Sequence, residues 1–223
     1  MFADPLHLCI ALGPLAGYLL LLGAVNSSSR PLLTSGTRDL AALAVAISGL
    51  MLAGPMELFM PEAALARFGG FAWTLMLAVY VLAIVLIALL MRPRLVVFNI
   101  DGERFRTIAQ RVAEGLDAEA QWAGDMLALP NLGVQLTVEV FSPVRHVALV
   151  AAGSHQHPPG WRRLEEELRE AIREERCPIN PAAISLMTFG LLMVVIMAMS
   201  IYFYPEALVQ AFREMLWLDV GKF

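Results

Sequence analysis

The sequence predicts a helical membrane protein with four transmembrane helices and an inserted two-layer α+β cytoplasmic domain of order β-α-β-β-β-α. Three observations predict it. A hydrophobic share of 58% with a mean hydropathy of +0.66 is too apolar for an ordinary soluble domain. Four apolar runs approach or exceed the roughly 20 residues needed to cross the hydrocarbon layer. Of the 16 Lys and Arg residues, 13 lie in two of the segments between those runs, and only Arg67, Arg213 and Lys222 lie elsewhere. Cytoplasmic loops carry excess Lys and Arg, so this asymmetry supplies an orientation as well as a class.

Residues 1–94 hold the first three spans. Leu6 to Val25 is the first, with His7, Cys9 and Tyr18 as its polar-leaning residues. A signal peptide has a basic leading region and a short apolar core. Residues 1–8 contain Asp4 and no Lys or Arg, so this run reads as a retained helix. Leu40 to Met60 is the second span, with Glu57 near its end, and Phe68 to Met91 is the third. Residues 179–204 contain the fourth span, Ala182 to Tyr204, which is uncharged and rich in Met. Residues 205–223 read as an amphipathic helix on the outer face, with Leu208, Val209, Phe212, Met215 and Leu216 on one side and Trp217 suited to the interface.

One topology places every segment. With the Arg-rich segment before the fourth span in the cytoplasm, the 26–39 loop is there too. Both termini and the 61–67 loop then face outward, as in a multi-pass protein of the cell membrane. Cys9 and Cys177 fall on opposite sides of the bilayer, which excludes a disulfide between them.

The cytoplasmic domain, residues 95–178, holds nine Arg against thirteen Asp and Glu, a formal charge of −4. Phosphate binding needs clustered Lys and Arg, so an acidic domain without a basic stripe argues against a nucleic-acid partner. Leu95 to Ile100 reads as a strand. Phe105, Ile108, Val112 and Leu116 share a face of the helix that follows, with Asp101 placed to cap it. Trp122 to Leu129 reads as a second strand, ended by Pro130-Asn131. Gly133 to Phe141 alternates, with Val134, Leu136, Val138 and Val140 on one face and Gln135, Thr137 and Glu139 on the other, as a half-buried antiparallel strand does. Arg145 to Ala151 makes a further strand. After the Ser-His-Gln-His-Pro-Pro-Gly loop, Trp161, Leu164, Leu168 and Ile172 repeat the helical spacing. Two helices with matched stripes can cover one face of a small sheet.

Few residues point to chemistry. His155 and His157 form a His-x-His pair, but a metal needs three or four ligands in fixed geometry and no Cys is near, so a solvated turn is expected and no metal. Glu57 follows Gly54-Pro55 near the outer end of its span, where a carboxylate can reach the interface, and a structural role is expected. Gly13 and Gly17 form a GxxxG motif suited to helix packing within the chain, with Pro14 inside it. Met187, Met193, Met197 and Met199 read as flexible apolar filler. Asp101-Gly102 lacks any Gly-rich phosphate pattern, and an Asp repels an anion.

No catalytic constellation and no cofactor motif emerges, and no feature sets an oligomeric state. The middle of every span lacks the ionisable residues that ion carriers use, and no inverted repeat is visible. The expectation is a scaffold or regulatory subunit, not an enzyme. It contacts the lipid bilayer through its spans and a protein partner through a docking face at Gln135, Thr137 and Glu139. A transporter subunit and a membrane enzyme with its site at the inner surface are the alternatives.

Overall fold

The structure is a computed structural model and describes residues 5–56, 70–153 and 156–217. The chain runs α1 (Pro5–Ser27), β1 (Leu32–Ser35), α2 (Gly36–Met51), α3 (Gly70–Leu90), β2 (Arg94–Phe98), α4 (Gly102–Leu116), β3 (Gln121–Ala123), β4 (Met126–Leu129), β5 (Val134–Phe141), β6 (His146–Ala151), α5 (Pro158–Arg173), α6 (Pro181–Phe203) and α7 (Pro205–Trp217). Two compact units result. One takes Met1–Leu21, Leu40–Leu90 and Met187–Phe223, and the other takes Leu22–Asp39 and Met91–Leu186.

Among the described residues three helices are long and apolar enough to cross a membrane by length and composition: Pro5–Ser27, Gly36–Gly54 and Pro181–Phe203. The run expected as the third span forms α3, whose apolar stretch among the described residues is the shorter Thr74–Leu90. α1 passes through Pro14 without a break. The second run departs from one regular helix. It becomes a π-helical turn at Leu52–Met56, around Gly54-Pro55. Pro55 has no N–H for a regular α turn.

The other unit is built on a six-stranded, wholly antiparallel sheet in the order β1-β2-β6-β5-β4-β3. α4 and α5 pack against each other and cover one face. Leu95, Val97, Leu127, Val134, Leu136 and Leu149 point toward them, and the alternation in β5 holds, with Val134 and Leu136 at 0% exposure. α5 buries Trp161, Leu164, Leu168 and Ile172 as its spacing predicts. α4 turns slightly from its expected stripe. Phe105 and Ile108 are buried with Ala109 and Ala113, while Val112 and Leu116 are only partly covered.

Two strands escaped the sequence reading, so β-α-β-β-β-α is incomplete. β1 lies in the 26–39 loop and pairs Leu33 with Val97 and Thr34 with Val96. Four residues are too few to show an alternation, and only the pairing with β2 makes them a strand. The stretch Trp122 to Leu129 is a hairpin, β3 and β4, closed by Gly124-Asp125. Gly124 has φ +63°, which the first position of a tight hairpin turn requires and which glycine adopts without strain. Pro158 and Pro159 open α5, where a missing N–H costs nothing. A Cβ on Gly160 would collide with the Leu132 carbonyl, so glycine lets α5 start against the β4–β5 loop.

Candidate functional site

The sheet face away from α4 and α5 has two unlike halves. On β5 it presents Gln135 and Glu139, both exposed, and Thr137, half-buried. Thr137 lies between Met126 of β4 and Val150 of β6, and Glu139 lies opposite Ala148. Met126 is 48% exposed, so no described element lies over it. The β5 backbone is held firmly there. The Gln156 side-chain amide donates to the Gln135 carbonyl at 2.9 Å, and Gln156 Oε1 accepts from Trp161 Nε1 at 2.8 Å.

The β1–β2–β6 half is covered around its middle. Val96 and Ala148 belong to the face away from the helices yet are 0% and 8% exposed. Arg94, on the same face, pairs with Asp39 in the first turn of α2 at 2.8 Å. A Cβ on Gly36 would strike the Arg94 side chain, so a glycine at the β1–α2 junction makes room for it.

One end of the face carries a row running straight across four strands. Leu32 pairs with Phe98, Phe98 with His146, and His146 with Phe141. The Phe98 and His146 rings stack, with centroids 5.1 Å apart and planes 8° from parallel. His146 Nε2 is buried without a hydrogen bond. Burial lowers the pKa of His146, Arg94 lowers it further, and Asp39 opposes them. The sequence reading missed this row because its members are spread over more than a hundred residues, and only the register aligns them.

Polar side chains tie the sheet to the helix ends of the same unit. Asn26 near the end of α1 and Asn180 before α6 are both 2% exposed, and Asn180 Nδ2 donates to Asn26 Oδ1 at 3.0 Å. Asn180 Oδ1 accepts from the Ala182 N–H at 3.0 Å, capping α6, whose first residue is Pro181. Asn99, at φ +60°, donates from Nδ2 to the Ser28 carbonyl at 2.6 Å. The Arg145 guanidinium donates to the Pro178 carbonyl at 2.8 Å, and the Cys177 N–H donates to the Ser29 carbonyl at 2.9 Å. Cys177 is itself buried, which pushes its thiol pKa up.

A second anchor joins the loops. Asp117 closes α4 and accepts from the Glu119 N–H at 2.9 Å, the Asn131 N–H at 2.8 Å and Asn131 Nδ2 at 2.6 Å. Burial alone would raise its pKa, but these hydrogen bonds and one from the Leu132 backbone lower it overall.

The other residues singled out by the sequence fare differently from one another. Glu57 and His155 lie outside the described residues. His157 occupies the position before α5, exposed, with its N–H donated to the Gly133 carbonyl at 2.9 Å. Among the described residues no three of His, Cys, Asp and Glu gather as a metal site would require. Among the described residues nothing lies within 4 Å of a Cβ built on Gly13 or Gly17, so neither makes a close helix contact there. The close approaches use Gly49, against the Ile10 carbonyl, and Gly190, whose Cβ would lie 2.8 Å from Leu20 Cγ. Asp101 stands at the N-cap of α4 with an extended backbone, yet its carboxylate makes no capping bond. No family model, no curated protein and no solved structure matches the chain.

Proposed function

We propose that this chain is a multi-pass protein of the cell membrane with four spans and both termini outside, acting as a non-enzymatic scaffold or regulatory subunit. Its sheet domain, residues 95–178, stands in the cytoplasm and docks a protein partner through Gln135, Thr137 and Glu139. One observation carries the reading. The β3–β5 half of the sheet has a mixed polar and apolar surface, and no described element of the chain lies over it. Such a surface suits a regulated, weakly apolar contact better than a lipid one. The net negative charge of the domain agrees, because anionic inner-leaflet lipid attracts basic segments.

The test is photocrosslinking in native membranes from a probe at Glu139. One discrete protein adduct is expected, and a Gln135→Arg/Thr137→Arg pair on the same face should abolish it. A probe that yields no adduct, or an adduct that survives the double substitution, would remove the docking role.

A further inference from the structure

The row Leu32–Phe98–His146–Phe141 lies outside the proposed partner surface, at the opposite end of β5 from Gln135. Its outer members are conspicuously bare. Leu32 is 45% exposed and Phe141 is 57% exposed. Ile179, two residues before α6, is 64% exposed. Apolar exposure at both ends of one row marks a surface that meets something other than water.

Both ends of the row are tethered to helices that are long and apolar enough to cross a membrane. Leu32 follows the last residue of α1, Ser27, by five positions and precedes the first of α2, Gly36, by four. At the other end, the short helical turn Ser142–Val144 follows Phe141, and Arg145 after it is bonded to the Pro178 carbonyl, three residues before α6. The middle is tied as well, since Asn99, next to Phe98, is bonded to the carbonyl of Ser28 just past α1. Neighbouring strands stand about 4.8 Å apart, so the row is about 14 Å long. Exposed Arg30 lies between α1 and Leu32, and a basic residue there favours anionic headgroups.

We infer that the apolar row Leu32–Phe98–His146–Phe141 rests in the phospholipid headgroup layer of the bilayer that the chain's own helices cross, fixing the sheet against the membrane and leaving Gln135, Thr137 and Glu139 in water. Its occupant is lipid, because Leu32 lies five residues past α1, Asn99 beside Phe98 is bonded to Ser28 just past α1, and Arg145 after Phe141 is bonded to Pro178 just before α6. The aromatic members suit the layer where apolar rings and polar headgroups meet. Glu139, two residues from Phe141 along β5, marks where the lipid-facing surface ends. The inference rests on the reading that α1, α2 and α6 span the membrane.

Nitroxide labels on the full chain test it, in a Cys9→Ala/Cys177→Ala background reconstituted into vesicles of phosphatidylcholine and phosphatidylglycerol. Labels are placed singly at Phe141→Cys, Leu32→Cys, Glu139→Cys and, within α6, Leu191→Cys. Collisions with apolar oxygen are expected to exceed those with a water-soluble nickel chelate at Phe141 and Leu32, with the order reversed at Glu139. A chelate preference at Phe141 or Leu32 would overturn the inference, as would exclusion of both reagents there, which signals a protein cover. Leu32 serves alone should the Phe141 variant fail to fold. A chelate preference at Leu191 would instead sink the spanning reading itself, so the two failures are distinct.

Discussion

At the scale of single residues, His146 shows how burial converts a side chain into a condition on stability. Its ring stacks on Phe98 and its Nε2 finds no partner, so the folded chain prefers the neutral imidazole. Burial, with Arg94, lowers the folded pKa against the opposing pull of Asp39. A histidine with a lowered folded pKa binds more protons when unfolded. Its stabilising contribution is therefore complete above the unfolded value of about 6.5 and is lost as pH falls through the folded value. His146→Phe keeps the stack and the apolar row but removes the titration. Thermal melts of the purified protein across the acid range should show the wild type losing stability below neutrality more steeply than this variant. Parallel pH profiles would contradict the account. None of this could be read in the sequence, where His146 is one of four histidines and the His155–His157 pair draws more notice.

At the scale of elements, β5 is the strand whose sequence and structure agree most fully. A period of two admits only two assignments of faces, and shifting by one residue would bury Gln135 and Glu139. Leu136 at 0% exposure faces α4 and α5, while Thr137 faces away. Leu136→Ala should therefore cost about 2–5 kcal/mol, the range for a packed leucine, and Thr137→Ala far less. Chemical unfolding of the full chain measures both, and equal losses would refute the register. α5 was equally legible, because four apolar residues at helical spacing sit among charged ones. β1 and the β3–β4 hairpin were not. A strand of three or four residues carries no period, and its identity rests on the neighbour that supplies its hydrogen bonds. The open Gly13 and Gly17 make the same point for helices, since a GxxxG says that close approach is allowed and says nothing about whether a neighbour takes it.

At the scale of the whole molecule, the distribution of Arg and Lys makes its own prediction about sidedness. A reporter active only in the cytoplasm should signal when fused after residue 153 and stay silent when fused after residue 223. Signal from the C-terminal fusion would overturn the proposed topology. The sequence by itself determined the apolar helices, the mixed α/β character of the inserted domain, and which side chains of β5 and α5 are buried, because those properties follow from local composition and period. Only the tertiary structure decided that a loop between two apolar helices supplies the edge strand of the sheet. It alone joined Asn26 to Asn180 and Arg94 to Asp39, and it alone aligned Leu32, Phe98, His146 and Phe141. The reason is physical. Burial along one element repeats at a fixed spacing and can be counted, whereas a contact between distant elements depends on pairing register and on loop closure, which leave no periodic trace in the chain.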